Sequence, residues 1–184
     1  MTSFTIPTVE TERLILRAPH LDDLPAMTAF FATERSHMVG GPRDDFESWR
    51  SLTGRIGQWA LHGYGVWHIT ERSNGQFAGW AGMMNAPGWA EPELGWVVME
   101  EFEGKGIAFE ATQAARDFAA RHQGLNGVIS YIAHANGRSR ALAERLGATL
   151  EIERAELLGK HAQIWRHPHI DISDTALTAE RIGQ

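Results

Sequence analysis

The segment with the most chemical content runs Glu93-Leu-Gly-Trp-Val-Val-Met-Glu-Glu-Phe-Glu-Gly104-Lys105-Gly106-Ile107-Ala108. A β-prone stretch enters a turn with two glycines, and a helical pattern follows at once. A helix that begins on such a turn leaves its first amides unpaired, and they converge where the helix dipole favours negative charge. Glycine lets a phosphate approach the backbone with no Cβ in the way. Lys105 brings a cation beside the same point. The chemistry expected is capture of a phosphate-bearing anion by main-chain groups. The turn is not a P-loop, because no Ser or Thr follows a Gly-x-x-x-x-Gly-Lys frame. Nor is it a dinucleotide fingerprint, since Phe109 stands where the third glycine belongs. A strand-to-helix turn that uses glycine for steric reasons alone is the plainer alternative at this point.

Other chemistries find less support. The chain has no cysteine, which excludes disulfides, thiolate zinc sites and cysteine nucleophiles. His167-Pro-His169 with Asp171 lacks the helical His-x-x-x-His spacing of a metal site, so no metal is expected. No Gly-x-Ser-x-Gly elbow occurs, which argues against a serine hydrolase. Trp80, Trp89 and Trp96 suit a substrate pocket, the core or a dimer face equally.

The elements that must position the turn are legible from periodicity. Glu12 to Arg17 alternates as a strand. Asp22 and Asp23 open a helix whose apolar stripe is Leu24, Met27, Phe30 and Phe31. A second helix is expected after Pro42, capped by Asp44 or Asp45, with Phe46, Trp49, Ile56 and Trp59 as its buried face. Strands at 64–71 and 76–84 flank the hairpin signal Ser73-Asn74-Gly75, and Glu93 to Met99 continues the meander beyond a loop at 87–92. The helix after the turn, about Ile107 to Arg121, carries Ala108, Ala111, Ala114, Ala115 and Ala119, with Phe118 as a bulky anchor. Such a helix can sit close to a sheet, although alanine also serves propensity alone. A strand at 128–133, a helix at 138–146 and strands at 150–157 and 163–165 complete the order. This is an α+β layout with a mixed sheet rather than regular βαβ alternation.

The 184 residues suit one domain, at 1–166, followed by a tail at 167–184 that loses the hydrophobic period and has room for a short helix. Hydrophobic residues at 43% and charged residues at 22% place the chain in the globular class. The net charge of −6 argues against general nucleic-acid binding. No apolar run is long enough for a membrane span, and Met1 to Val9 has no signal-peptide character, so a soluble cytoplasmic protein is expected. An exposed strand edge and spare tryptophans leave room for a homodimer.

Three segments together resemble the GCN5-related N-acetyltransferases (GNAT). The turn Gly104-Lys-Gly-Ile-Ala is similar to that family's Gln/Arg-x-x-Gly-x-Gly/Ala acyl-CoA motif, with Glu101 at the Gln/Arg position. Asn136-Gly-Arg-Ser139, running on to Leu146-Gly147-Ala148, resembles its Asn-x-x-Ser helix followed by Leu-Gly-Phe, with Ala148 in place of Phe. Thr11-Glu-Arg-Leu-Ile-Leu-Arg17 resembles the start of the ribosomal-protein N-acetyltransferase branch. The likeness covers roughly residues 10–166.

The resemblance implies a mostly antiparallel sheet flanked by helices, with a splayed strand pair, 93–99 and 128–133, holding acetyl-CoA. It implies pantetheine contacts from main-chain groups of Val97, Val98 and Met99, and a pyrophosphate cradle of the Gly104, Lys105, Gly106, Ile107 and Ala108 amides. Asn136 is expected on the pantetheine arm, and Arg138 or Arg140 on the adenosine phosphate. Glu93 is the candidate base, with Glu91 and Glu151 as alternatives, and Ser139 is the candidate acid for the departing thiolate. For Asn136 and Ser139, helix capping is the competing role; for Glu93, it is a solvated strand end or a substrate ion pair. The chain has only Tyr64 and Tyr131 as tyrosines, and neither follows the second motif. The activity implied is acetyl transfer to a primary amine, a protein N-terminus or a small amine, with a non-catalytic acyl-CoA-binding or sensor domain as the alternative.

Overall fold

The computed structural model describes residues 4–173. Eight strands form one sheet: β1 (Val9–Glu10), β2 (Leu14–Arg17), β3 (Val66–Glu71), β4 (Phe77–Met84), β5 (Glu93–Val98), β6 (Ile129–Ile132), β7 (Thr149–Leu157) and β8 (Lys160–Arg166). Their spatial order is β1-β2-β3-β4-β5-β6-β8-β7, and every neighbouring pair is antiparallel except β5 with β6. Four helices accompany them: α1 (Leu24–Phe31), α2 (Asp45–His62), α3 (Ile107–His122) and α4 (Gly137–Arg145). The α+β expectation and the order of the expected elements hold; β1 is additional, β8 begins three residues before the expected 163–165, and most other boundaries move by a residue or two.

The small face of α3 lets it lie close on β4 and β5. Ala111, Ala115 and Ala119 are fully buried there, and Phe118 meets Trp67 edge-on at 5.5 Å. α1 packs its Met27, Phe30 and Phe31 into the core, where Phe30 meets Trp80 of β4 edge-on at 5.3 Å. A 3-10 segment, Glu34–Val39, leads from α1 towards α2. Asp44 caps α2 by accepting the Glu47 amide while Glu47 reaches back, a full capping box.

The buried face of α2 differs from the expected one. Phe46 and Trp49 are 63% and 43% exposed and stack on each other in the open, while Ser48, Leu52, Arg55 and Trp59 point inward. Ile56 packs only at the margin of the core. The helix is turned because Arg55 is required inside: its guanidinium lies 4.0 Å from the Trp80 ring and donates to His68 Nε2 at 3.1 Å. A stripe drawn through the largest apolar residues cannot foresee a buried arginine.

That arginine belongs to a chain of buried polar groups. His68 donates from Nδ1 to Asp23 at 2.6 Å, and Arg17 grips the same carboxylate with both Nη atoms at 2.8 and 2.6 Å. Since Arg55 can only donate, His68 Nε2 is its acceptor and the ring is neutral. Burial pushes the His68 ring down to about 4, against its bond to Asp23. Burial also raises the Asp23 carboxyl, but the bonds from Arg17, His68 and the His20 amide outweigh it and hold Asp23 well below the usual carboxylate range.

The segment after β8 begins packed. The His167 amide bonds Val128 O at 2.9 Å, its ring is fully buried, and Ile170 exchanges two 2.8 Å bonds with the Asn126 side chain. Residues 174–184, with the short helix expected near the end, lie outside the described residues. Among the described residues, no helix is long and apolar enough to cross a membrane.

Candidate active site

β5 and β6 meet at a single parallel register, Glu93 opposite Ile129, and then diverge. Side chains replace the ladder at the fork. Ser130 Oγ donates to Leu94 O at 2.6 Å, and the Tyr131 amide donates to Glu93 Oε2 at 3.0 Å. Beyond the fork opens a cleft of about 1090 Å³, walled by Trp96, Val97 and Val98 of β5, the turn and first residues of α3, the start of α4 and the segment after α1. The splayed pair expected from the resemblance is present.

The turn is built for its amides. Gly104 (φ 72°) and Gly106 (φ 78°) both take left-handed backbone, which a side chain makes costly. Gly106 is the N-cap of α3 and offers no side chain to its first turn. Among the described residues, none of the amides of Gly104, Lys105, Gly106, Ile107, Ala108 or Phe109 makes a well-formed hydrogen bond. Six consecutive donors therefore remain at a helix N-terminus, and all of these residues except Lys105 line the cleft. The Lys105 side chain turns back over the Phe102 ring at 5.3 Å.

A brace that the sequence does not announce fixes this turn. Arg13, just before β2, donates to Lys105 O at 2.9 Å and, from Nε, to Glu110 at 2.7 Å; Thr11 Oγ1 adds a 2.6 Å bond to the same carboxylate. Glu110 sits in the first turn of α3, so the Thr-Glu-Arg segment holds the helix start in place. The only sequence signal for the brace was the likeness of 11–17 to one family branch.

The main chain of β5 faces two ways. Met99 donates its amide to Ala78 O at 2.9 Å, and the two-residue alternation of an antiparallel ladder turns Val97, opposite Trp80, the same way. The groups facing the gap are those of Trp96 and Val98. Of the expected run Val97, Val98 and Met99, only Val98 turns its main-chain groups to the gap, and Trp96, outside that run, is the other residue that does. Met99 does not line the cleft, and Val97 contributes only its place in the wall.

Asn136 caps α4: its Oδ1 accepts the Ser139 amide at 3.1 Å, and the residue lines the cleft. The capping role thus falls to Asn136, and the Ser139 hydroxyl, also on the cleft wall, has no hydrogen-bond partner among the described residues. Arg138 lines the cleft and Arg140 does not. Arg35, Met38 and Arg145 line it as well, and no periodic or motif signal marked them; Phe30, expected only on the apolar stripe of α1, also reaches it.

Glu93 stands at the fork rather than in the cleft wall. Its second oxygen, Oε1, lies 4.0 Å from where a Cβ of Gly95 would be. Burial raises its carboxyl above the ordinary value, against the Tyr131 amide bond and the nearby Trp89 indole. The alternative carboxylates are committed elsewhere. Arg166 holds Glu91 through both Nη atoms, at 2.6 and 2.7 Å, and Glu151 through Nε and Nη2, at 2.6 and 2.8 Å. Its bonds to Arg166 draw the Glu151 carboxyl down, so Glu151 is the poorer proton acceptor. Of the three tryptophans, Trp96 lines the cleft, while Trp80 is core. Tyr131 Oη accepts from the Ala90 amide, Tyr64 Oη from Asn85, and neither tyrosine lines the cleft.

Comparison with known proteins agrees with this geometry. A family model described as an acetyltransferase (GNAT) domain matches residues 13–149. An acetyltransferase from Agrobacterium tumefaciens is 36% identical, covers 91% of this chain and 97% of its own, and superposes with a TM-score of 0.82. A GNAT-family acetyltransferase structure from Bordetella pertussis is 28% identical, covers 88% and 99%, and has a TM-score of 0.71. A ribosomal L7/L12 α-N-protein acetyltransferase in complex with coenzyme A shares the fold at 22% identity, covering 90% and 99%, with a TM-score of 0.73. With the match running from Arg13 through the two-glycine turn to the first residue of β7, about three quarters of its length, this chain belongs to the GNAT family of acetyltransferases.

Proposed function

We propose that the protein moves an acetyl group from acetyl-CoA to a primary amine by direct attack in a ternary complex. The observation that carries this is the row of six unaccepted amides, 104–109, at the mouth of a forked sheet. They fit a pyrophosphate, which needs several donors and no Cβ in its path. The gap-facing groups of Trp96 and Val98 suit an extended pantetheine arm lying beside β5 like an added strand, with Asn136 Nδ2 reaching it from the opposite wall. Arg138, which shares the cleft wall with Arg35 and Arg145, is the partner for a further phosphate. The acceptor is a protein N-terminus or a small amine. Likeness of fold to the L7/L12 enzyme supports the former.

Each step is assigned a residue in this reading. The Val98 amide, on the diverging part of β5, polarises the thioester oxygen as the tetrahedral centre forms. Glu93, its carboxyl raised by burial, takes a proton from the attacking amine directly or through water. Ser139, whose hydroxyl is otherwise unengaged, gives a proton to the departing sulfur. Fixing both substrates in one cleft supplies proximity, which is worth several kcal/mol by itself, about 7 in favourable cases.

Calorimetry with coenzyme A on the wild type and on Gly106→Ile tests the cofactor placement. At φ 78° an isoleucine is strained, and a Cβ there comes within 3.3 Å of Arg13 Nη2. Heat of binding is expected for the wild type and none for the variant; equal affinities would reject the site. Thiol release with acetyl-CoA and a panel of amines separates the enzyme from an acyl-CoA-binding module, which binds coenzyme A but releases no thiol above background.

A further inference from the structure

One carboxylate holds two arginines across the cleft. Arg35, in the 3-10 segment after α1, donates Nη2 to Glu103 and also to Val98 O at 3.0 Å, and its guanidinium lies 5.6 Å from the Phe30 ring. Arg138, in the first turn of α4, donates to the other Glu103 oxygen at 2.5 Å. All three residues line the cleft. The bridge therefore runs from the wall beside α1, past the open edge of β5, to the wall made by α4.

Its position is unusual for a carboxylate. Glu103 directly precedes the six unaccepted amides, in the place where a bound anion is repelled by it and attracted by Arg138. Its two attachments are unequal. The Arg138 side chain is 79% exposed and holds Glu103 by one bond, a kind of contact that contributes little and breaks readily. Arg35 and Glu103 are each 31% exposed, and Arg35 is fixed by Val98 O and the Phe30 ring as well.

We propose that Glu103 is a built-in stand-in for a phosphate and makes the cleft selective for phosphorylated ligands. It keeps Arg138 aimed over the cleft and yields it when a ligand phosphate settles near the amides, while Arg35 retains Glu103 on the far wall. A ligand without phosphate gains nothing from Arg138 in exchange for breaking the pair. This rests on the coenzyme reading above, which the same experiment tests separately.

The test is calorimetry of wild type, Glu103→Gln, Arg138→Gln and the double variant with coenzyme A and with pantetheine, which has no phosphate. Glu103→Gln is expected to bind coenzyme A roughly three- to tenfold tighter, the order of one exposed charge interaction. The loss from Arg138→Gln is expected to be larger in the Glu103→Gln background, where no pair has to be broken first. Arg138→Gln is expected to weaken coenzyme A while leaving pantetheine unchanged, and if Glu103→Gln does not fold, Glu103→Ala takes its place in both comparisons. Unchanged or weaker coenzyme A binding by folded Glu103→Gln, or equal loss of both ligands in Arg138→Gln, overturns the inference alone. No heat from the wild type with coenzyme A overturns the coenzyme reading, and this inference with it.

Discussion

Glu93 is asked to do two things, and one pair of substitutions separates them. In Glu93→Gln the amide oxygen can still accept from Tyr131, so the fork between β5 and β6 keeps its side-chain bond. In Glu93→Ala that bond is lost, and an amide facing the fork is left without its acceptor, at a cost of about 1–3 kcal/mol. For a chain of this length, 1 kcal/mol shifts the melting temperature by roughly 2–4 °C, so Glu93→Ala should melt about 2–12 °C lower. The glutamine variant should not. A carboxyl raised by burial holds its proton more tightly folded than unfolded, so its ionised form costs stability above the unfolded value. Replacing it by a neutral amide removes that cost near neutral pH, and the advantage over wild type shrinks as pH falls towards the carboxylate range. Catalysis should respond oppositely: without a proton acceptor, kcat is expected to drop by about 10²-fold and the acid limb of the pH profile to disappear. Thermal melts at two pH values and a pH series of kcat/KM give both readouts. A glutamine variant with wild-type kcat and an intact acid limb refutes the base role. One that melts as low as Glu93→Ala refutes the account of the fork.

Further outcomes follow from the site and the core. Ser139→Ala removes a hydroxyl with no partner, so its melting temperature should stay within a degree or two while kcat falls; an unchanged kcat would remove Ser139 from the chemistry. Asn136→Ala removes the α4 cap and should cost about 1 kcal/mol, read as a melt lower by a few degrees, together with weaker coenzyme A binding. His68 and His167 are both fully buried and neutral, each pushed down to about 4, by burial first. Their folded values lie below the unfolded value of 6.5, so their contribution is complete above pH 6.5 and is lost as pH falls towards 4, by about 3 kcal/mol each. Denaturant midpoints should therefore decline through that window, and His68→Gln should flatten the decline; a flat wild-type curve there would contradict the buried neutral rings.

What the sequence disclosed was local. Alternation in 14–17, the Asn74-Gly75 turn and the alanine face of α3 are written in consecutive residues, because strands and helices repeat every two or 3.6 positions. The two-glycine turn was legible for the same reason: its function depends on backbone conformation at neighbouring residues. Pairings between distant segments have no such period. The Arg13–Glu110 brace spans 97 positions and the Arg35–Glu103 pair spans 68, and nothing in either neighbourhood marks the partner. The outward turn of Phe46 and Trp49 was hidden likewise, since it follows from Arg55 joining a buried cluster whose other members sit on β2, β3 and the entry to α1. The direction of the β5 main chain needed the Met99–Ala78 bond to set its phase, because a shift of one residue exchanges the two edges of a strand.

The same contrast explains how one fork can hold a reactive geometry. Beyond Glu93 and Ile129 no ladder fixes the angle between β5 and β6, so the angle has to come from side chains. On the β5 side, Ser130 and the Glu93 carboxylate pin the crotch through Leu94 O and the Tyr131 amide, and His167 holds Ser130 Oγ from behind at 2.9 Å. On the α4 side, Arg116 of α3 donates to Leu146 O at 2.7 Å, tying the end of α4 to the helix that carries the amides. The turn itself is clamped by Arg13 and Glu110. The β5, α3 and α4 walls are thus anchored to α3 or to the crotch, and none of these three depends on the Glu103 bridge for its position. That independence is what lets Glu103 exchange partners: a contact that set the width of the cleft could not be surrendered to a ligand without closing or spreading the site.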